Sequence, residues 1–219
     1  MKIGIIGAGN IGGALTRRCA ALGHEVAVAN SRGPETLTAL AAETGARAVP
    51  AAEAAVGAEV VIVTIPERNI ALLPPGILDG ALPGAAIVDT GNYYPRQRDG
   101  RIAEIEAGLP ESRWVEQHLG RPLIKAFNNI YALHLQEKGQ PRGTPGRIAL
   151  PVAGDDGAAK AVVMLLIDEL GFDPVDAGGL DESWRQQPGS PVYTGNLDAA
   201  GVRRALAAAS PERTANWRA

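Results

Sequence analysis

The residues best spaced for chemistry stand at the start of the chain. Gly7-Ala8-Gly9-Asn10-Ile11-Gly12 follows a short apolar run, Lys2 to Ile6, and opens a helical stretch, Asn10 to Leu22. In such a turn the first glycine permits the tight bend. The second lets backbone approach a pyrophosphate, and the third lets the helix pack close to the strand. The helix N-terminus presents unpaired N–H groups and the positive end of its dipole to phosphate oxygens. A glycine pattern alone carries little weight. Here a strand precedes it, a helix follows it, and a second strand, Glu25 to Ala29, ends about 20 residues later. The pattern reads as a dinucleotide loop with Gly7, Gly9, Asn10, Ile11 and Gly12 as contacts.

The end of that second strand selects the cofactor. An NAD site places Asp or Glu there, to bind the ribose 2′-hydroxyl. This chain has Asn30-Ser31-Arg32. No carboxylate repels a 2′-phosphate, Arg32 can pair with one, and Ser31 and Asn30 can donate to it. The reading is NADP(H).

In an open parallel sheet the ligand lies beyond the carboxyl ends of the strands. Four such ends stand out: Thr64-Ile65-Pro66, Thr90-Gly91-Asn92-Tyr93, Phe127-Asn128-Asn129-Ile130 and Gly154-Asp155-Asp156. Ile65 and Pro66 form an apolar wall for ribose and nicotinamide. Ala126 closes the sixth strand at the same edge, and Asn92 and Asn128 can hydrogen-bond a carboxamide or an incoming acceptor. Asp155-Asp156 reads as a helix cap rather than a metal site.

No His-Asp or Lys-centred pattern suggests an acid/base pair beside this crevice, so no catalytic residue is assigned. A dehydrogenase acting on a hydroxyl group needs such a pair. Hydride transfer from NADPH to a flavin-like ring needs mainly stacking geometry and a dry pocket. Cys19 lies within an amphipathic stretch and reads as a small buried residue rather than a nucleophile. His24, His118 and His134 have no metal-ligand spacing, and no metal is expected. A single cysteine is consistent with a reducing compartment.

A net charge of −3 with no basic run argues against nucleic acid as a partner. No segment approaches the length of a membrane span, and Met1 leads directly into the first strand, so a cytoplasmic location with no membrane partner is expected.

Aromatic residues make up only 4% of the chain, leaving Ala, Val, Ile and Leu to build the core. That suits a parallel sheet covered on both faces. Strands are expected at Ala46 to Val49, Glu59 to Thr64, Ala85 to Asp89, Pro122 to Ala126, Arg147 to Val152 and Phe172 to Val175. Helices are expected at Pro34 to Glu43, Ala51 to Val56, Arg101 to Ala107, Ser112 to Leu119, Asn129 to Lys138, Asp156 to Leu170 and Val202 to Ala209. The alternation indicates an α/β Rossmann-type, doubly wound, mostly parallel sheet. It forms one domain over residues 1–219, with 147–219 as a small C-terminal α/β extension. About 40 residues follow the last strand, too few for the large helical substrate domain of β-hydroxyacid dehydrogenases. Between Asp181 and Pro191 periodicity vanishes. That segment reads either as a lid, with Trp184 or Tyr193 stacking on a ring, or as a packed surface loop.

The sequence resembles the NADPH:coenzyme F420 oxidoreductase family over nearly its whole length. The resemblance rests on Lys2 to Gly12, Asn30-Ser31-Arg32, Leu123-Ile124-Lys125-Ala126-Phe127-Asn128, Pro151 to Asp156, and Gly171-Phe172-Asp173-Pro174-Val175-Asp176-Ala177-Gly178. It implies that Ser31 and Arg32 hold the 2′-phosphate and that Thr64 to Pro66 borders the nicotinamide. It also implies an acceptor ring stacked near Asn128, Asn129 and Ile130, and a homodimer. Archaeal members resemble one another in carrying histidine where Asn128 stands. The Lys-Ala-Phe-Asn form is more similar to the cytosolic domain of STEAP metalloreductases, where the acceptor is an ordinary flavin. Coenzyme F420, FMN and FAD are therefore the acceptors to expect. Two alternatives stay open: an NADP(H)-binding sensor without turnover, and a small imine or carbonyl reductase drawing its proton from Tyr93, Tyr94, Tyr131 or water.

Overall fold

The computed structural model describes residues 1–219 as an eight-stranded sheet between helices. The strands are β1 Lys2–Ile6, β2 Glu25–Ala29, β3 Arg47–Ala48, β4 Val60–Val63, β5 Ala86–Asp89, β6 Ile124–Lys125, β7 Ala149–Gly154 and β8 Asp173–Asp176. Their order across the sheet is β3-β2-β1-β4-β5-β6-β7-β8. β1 lies between β2 and β4, where the winding reverses, and that reversal opens the crevice at the carboxyl ends of β1 and β4.

Alternation sends successive residues to opposite faces. Ile3, Ile5, Val60 and Ile62 enter one buried cluster with Leu15, Leu166 and Phe172. Ile6, Val61, Val63 and Ile87 enter the other with Trp114 and Val115. Both faces are covered, so the central strands read as unbroken apolar runs. Each fully buried Val or Ile stabilises the fold by about 1.5–3 kcal/mol.

The main helices are α1 Asn10–Ala21, α2 Thr38–Thr44, α3 Glu67–Ile70, α4 Ala103–Glu106, α5 Glu111–Leu119, α6 Ala132–Glu137, α7 Gly157–Glu169 and α8 Ala199–Ala207. The expected helix at Pro34 begins as a 3-10 turn, Pro34–Leu37, and the one at Ala51 is only a 3-10 turn, Ala51–Glu53. Helix α6 is shorter than expected, because Phe127 adopts a left-handed φ of 63° and the chain turns before becoming helical. Asp156 caps α7 as expected, accepting from the N–H groups of Ala158 and Ala159 at 2.9 and 3.0 Å. Cys19 is fully buried, and burial pushes its thiol up to about 12.

Two strands, β7 and the β8 that follows it in parallel, reverse the expected geometry. β7 pairs antiparallel to β6, with Ile124 opposite Gly154 and Lys125 opposite Ala153. The carboxyl end of β7 therefore lies at the opposite edge of the sheet from the crevice. Gly154-Asp155-Asp156 does not border the ligand site. Instead Asp155 pairs with Arg113 at 2.7 Å and accepts the Leu180 N–H at 2.9 Å. β7 and β8 extend the same sheet, with β8 parallel to β7. No helix is long and apolar enough to cross a membrane.

Candidate active site

The three loop glycines occupy three different environments. Gly7 has φ of 110°, and a Cβ there would overlap the Thr64 carbonyl. A Cβ on Gly12 would overlap the Gly7 carbonyl oxygen, so close packing of α1 on the loop requires glycine. Gly9 has nothing near its Cβ position and faces open space. Helix α1 starts at Gly9 with no side-chain cap and no acidic residue in its first turn. Its leading N–H groups remain available to an anion.

Two clefts meet at this loop. One, of about 550 Å³, runs from Gly7 and Gly9 past Asn30, Ser31 and Arg32 to Leu72 and Leu73. The other, of about 420 Å³, runs from Gly9, Asn10 and Ile11 to Tyr94, Arg98, Phe127, Asn128, Ile130, Tyr131 and Tyr193. Gly9, Thr64, Ile65 and Pro66 border both, so the clefts form one groove across the carboxyl ends of β1, β4, β5 and β6. Arg32 is exposed and its guanidinium meets no carboxylate of this chain, while its N–H donates to Asn30 Oδ1 at 2.9 Å. A glycine cradle, an uncapped helix end and an unpaired guanidinium along one groove fit a 2′-phosphorylated dinucleotide.

The asparagine cluster plays a different part from the one its sequence suggests. Asn92 Nδ2 donates to the Asn128 carbonyl at 2.9 Å, and Asn128 Nδ2 donates to Asn92 Oδ1 at 3.0 Å and to the Gln186 carbonyl at 2.7 Å. Gln186 Nε2 donates back to Asn128 Oδ1 at 3.0 Å. The two side chains hold each other, and Asn128 also holds Gln186 of the Leu180–Gln186 3-10 segment, so the pair braces the cavity wall that both residues border. Asn129 is buried, and its carbonyl accepts the Thr194 N–H at 2.9 Å. Ala126 is fully buried and borders neither cleft. Phe127 and Thr194, both on the cavity wall, hold left-handed φ angles of 63° and 57°. Each such non-glycine conformation costs about 1–3 kcal/mol and persists only because its surroundings enforce it.

Trp184 is a correction. It borders two smaller clefts on another face, of about 200 and 390 Å³, with Arg185 stacked 4.4 Å above its ring. The aromatic residue from this region that reaches the crevice is Tyr193, whose hydroxyl is hydrogen-bonded to that of Tyr94.

A second correction concerns ionisable groups. Lys125 lies behind the crevice wall with its ammonium 2.9 Å from Asp89 Oδ2 and 2.7 Å from the Gly91 carbonyl. Ser112 Oγ donates to the same Asp89 oxygen at 2.7 Å. Glu67, directly after Pro66, is fully buried with both oxygens unpartnered. A Cβ on Gly91 would collide with Glu67 Oε1 and Asp89 Oδ1, so the two carboxyl groups face the same point. Burial, then the neighbouring Asp89, pushes the Glu67 carboxyl well above the ordinary range. Burial alone would lower Lys125, but Asp89, Glu67 and Glu111 outweigh it and raise its pKa. Buried Glu111 is raised by desolvation and is paired with Arg213 near the C-terminus.

Residues 2–93 match the family model described as NADP oxidoreductase, coenzyme F420-dependent. The hypothetical protein SMa0349 from Sinorhizobium meliloti is 32% identical, with 90% of this chain and 95% of that one covered and a TM-score of 0.75. A structure from Arthrobacter sp. FB24, described as a "putative F420 dependent NADP-reductase", is 25% identical over 82% of this chain and 86% of that one, at a TM-score of 0.66. The chain belongs to the F420-dependent NADP oxidoreductase family. YjhV of Escherichia coli K12 is 50% identical over 66 residues, 30% of this chain; the match spans about half, 48%, of that protein's length. The family match covers β1 through β5 and thus the glycine loop, Asn30-Ser31-Arg32 and the Thr64–Pro66 turn. The chain is accordingly an NADP-dependent oxidoreductase with a Rossmann-type α/β fold.

Proposed function

We propose that this oxidoreductase exchanges a hydride between NADP(H) and a flat deazaflavin or flavin acceptor. The observation that carries this reading is the continuity of the groove. It runs from Arg32 past the glycine loop to a cavity of about 420 Å³ walled by Ile65, Pro66, Phe127 and Ile130. Ser31 and Arg32 would hold the 2′-phosphate, the first N–H groups of α1 the pyrophosphate, and Ile65 and Pro66 the nicotinamide face. When bound, the cofactor supplies the hydride. The chain's own work is to orient the two rings and exclude water between them. The Arthrobacter relative's description as an F420-dependent reductase supports the acceptor class. A sensor would fill this space with its own side chains, and the open cavity favours turnover.

One observation favours a second reading, reduction of a small imine or carbonyl: the Tyr94–Tyr193 hydroxyl pair on the cavity wall. Stopped-flow oxidation of NADPH with coenzyme F420, FMN, FAD and a panel of cyclic imines and ketones, each offered in turn, separates the readings. Rapid oxidation by F420 or a flavin is expected. Oxidation by the imines or ketones alone would establish the second reading, and none with any acceptor would refute both.

A further inference from the structure

Tyr94 and Tyr193 lie 99 positions apart in the sequence, yet their hydroxyls are hydrogen-bonded on the wall of the acceptor cavity. Their surroundings differ. The Arg98 guanidinium carbon lies 4.9 Å from the Tyr94 ring centroid. Asp99 fixes both partners: Oδ2 accepts the Tyr94 N–H at 2.8 Å, and Oδ1 accepts Arg98 Nε at 3.0 Å. Tyr193 has no such cation; burial, then the hydrogen bond to Tyr94, disfavours its phenolate, and Glu111 disfavours the phenolate of both tyrosines. Trp217 packs against both rings, with centroids 5.8 Å from Tyr94 and 6.0 Å from Tyr193. The other tyrosines are placed differently. Tyr93 is buried away from the cavity, its hydroxyl accepting the Ile102 N–H at 2.9 Å. Tyr131 borders the cavity but is 55% exposed.

We propose that Tyr94 is a catalytic acid: it gives its proton to the acceptor as the hydride arrives, and Tyr193 then donates a hydrogen bond to the phenolate left behind. This rests on reading the cavity as the site of hydride transfer. The acceptor class follows from the chemistry. Its reducible double bond must end, directly or through conjugation, on an oxygen or nitrogen that takes up a proton, as in a carbonyl, an imine or a flavin-type ring. When the acceptor atom (a carbon in a carbonyl, an imine or a deazaflavin, ring nitrogen N5 in a flavin) gains the hydride, a π pair moves to that heteroatom. The heteroatom takes the Tyr94 proton, the Oη–H bond breaks, and its electron pair stays on Oη. Arg98 beside the ring and the Tyr193 hydroxyl stabilise that charge, and a solvent proton restores the phenol. Burial raises the Tyr94 hydroxyl above the ordinary tyrosine value, while the Tyr193 hydrogen bond and Arg98 pull it back; the guanidinium beside its ring is what sets Tyr94 apart from Tyr193.

The test compares wild type with Tyr94→Phe and Tyr193→Phe. The first readout needs no turnover: the ultraviolet phenolate signal during alkaline titration of the unliganded protein. Subtracting Tyr94→Phe from wild type gives the Tyr94 titration, and Tyr193→Phe should move it to higher pH. The second is NADPH affinity by fluorescence, expected unchanged in both variants. The third is the single-turnover rate of NADPH oxidation in light and heavy water, with F420, FMN or a cyclic imine as acceptor. Tyr94→Phe should slow it by about 10²–10⁴-fold, and Tyr193→Phe by less. A Tyr94→Phe rate equal to wild type with the same solvent isotope effect would overturn the proposal, as would a Tyr94 titration unmoved by Tyr193→Phe. No oxidation by wild type with any acceptor would overturn the hydride-transfer reading, and the role of Tyr94 with it.

Discussion

Lys125 and Asp89 stand opposite each other in the register of β5 and β6, and their side chains meet at 2.9 Å just behind the wall of the crevice cleft lined by Gly91 and Asn92. The same ammonium holds the Gly91 carbonyl, so one cation ties together two of the strand ends that form the crevice wall. Removing one partner of a buried pair leaves the other charge uncompensated and costs about 3–5 kcal/mol. Lys125→Met should therefore lower unfolding free energy by that amount in urea melts. Lys125→Met combined with Asp89→Asn should recover part of the loss. A single variant as stable as wild type would show that the pair does not brace the wall.

Glu67 makes stability depend on pH. Its folded pKa is raised above the unfolded value, so between the two the folded state binds the extra proton. Stability is then greatest below the ordinary glutamate range and falls as pH rises toward the folded pKa. Glu67→Gln cannot ionise and should lack that loss. The difference in melting temperature, Glu67→Gln minus wild type, should grow in favour of the variant as pH is raised from 4.5 to alkaline values. A difference constant with pH would mean that burial does not raise the Glu67 pKa.

The loop glycines allow a separation of folding from binding. A Cβ at position 12 has no room, whereas one at position 9 meets nothing within the fold, and Gly9 has the extended φ of −75° and ψ of −160° that alanine tolerates. Gly12→Ala should lose about 1–3 kcal/mol of stability through overpacking. Gly9→Ala should keep wild-type stability in the same melts but bind NADPH more weakly in a fluorescence titration. Equal stability losses in both would contradict the assignment of separate roles.

What the sequence makes legible and what it hides divide along chain distance. The glycine loop and Asn30-Ser31-Arg32 lie within one βαβ unit, so local order alone places them along one groove. Thr64 to Pro66 follows from the same parallel order. The Lys125–Asp89–Glu67 cluster joins three separate strand ends and depends on lateral register, which periodicity does not report. A signal was available: Asp89 and Lys125 are charged residues ending otherwise apolar strands that pair in parallel. The reversal at β7 was hidden because a helix precedes it, as helices precede the parallel strands. That reversal removed Asp155 from the site. In the segment without periodicity, Trp184 and Tyr193 looked equivalent, and only packing distinguishes them.

The account depends most on Arg32, the exposed cation at the end of β2 with no carboxylate partner in the chain. A hydrogen-bonded charge pair to the 2′-phosphate contributes about 1.5–3 kcal/mol, or roughly ten- to a hundredfold in Kd. The direct measurement is the Kd of NADPH and of NADH for wild type and for Arg32→Ala, by fluorescence titration. Wild type should bind NADPH by roughly that factor more tightly than NADH, and Arg32→Ala should lose the preference while its NADH affinity stays nearly unchanged. Equal affinity of wild type for both cofactors, or an equal loss for both in Arg32→Ala, would contradict it.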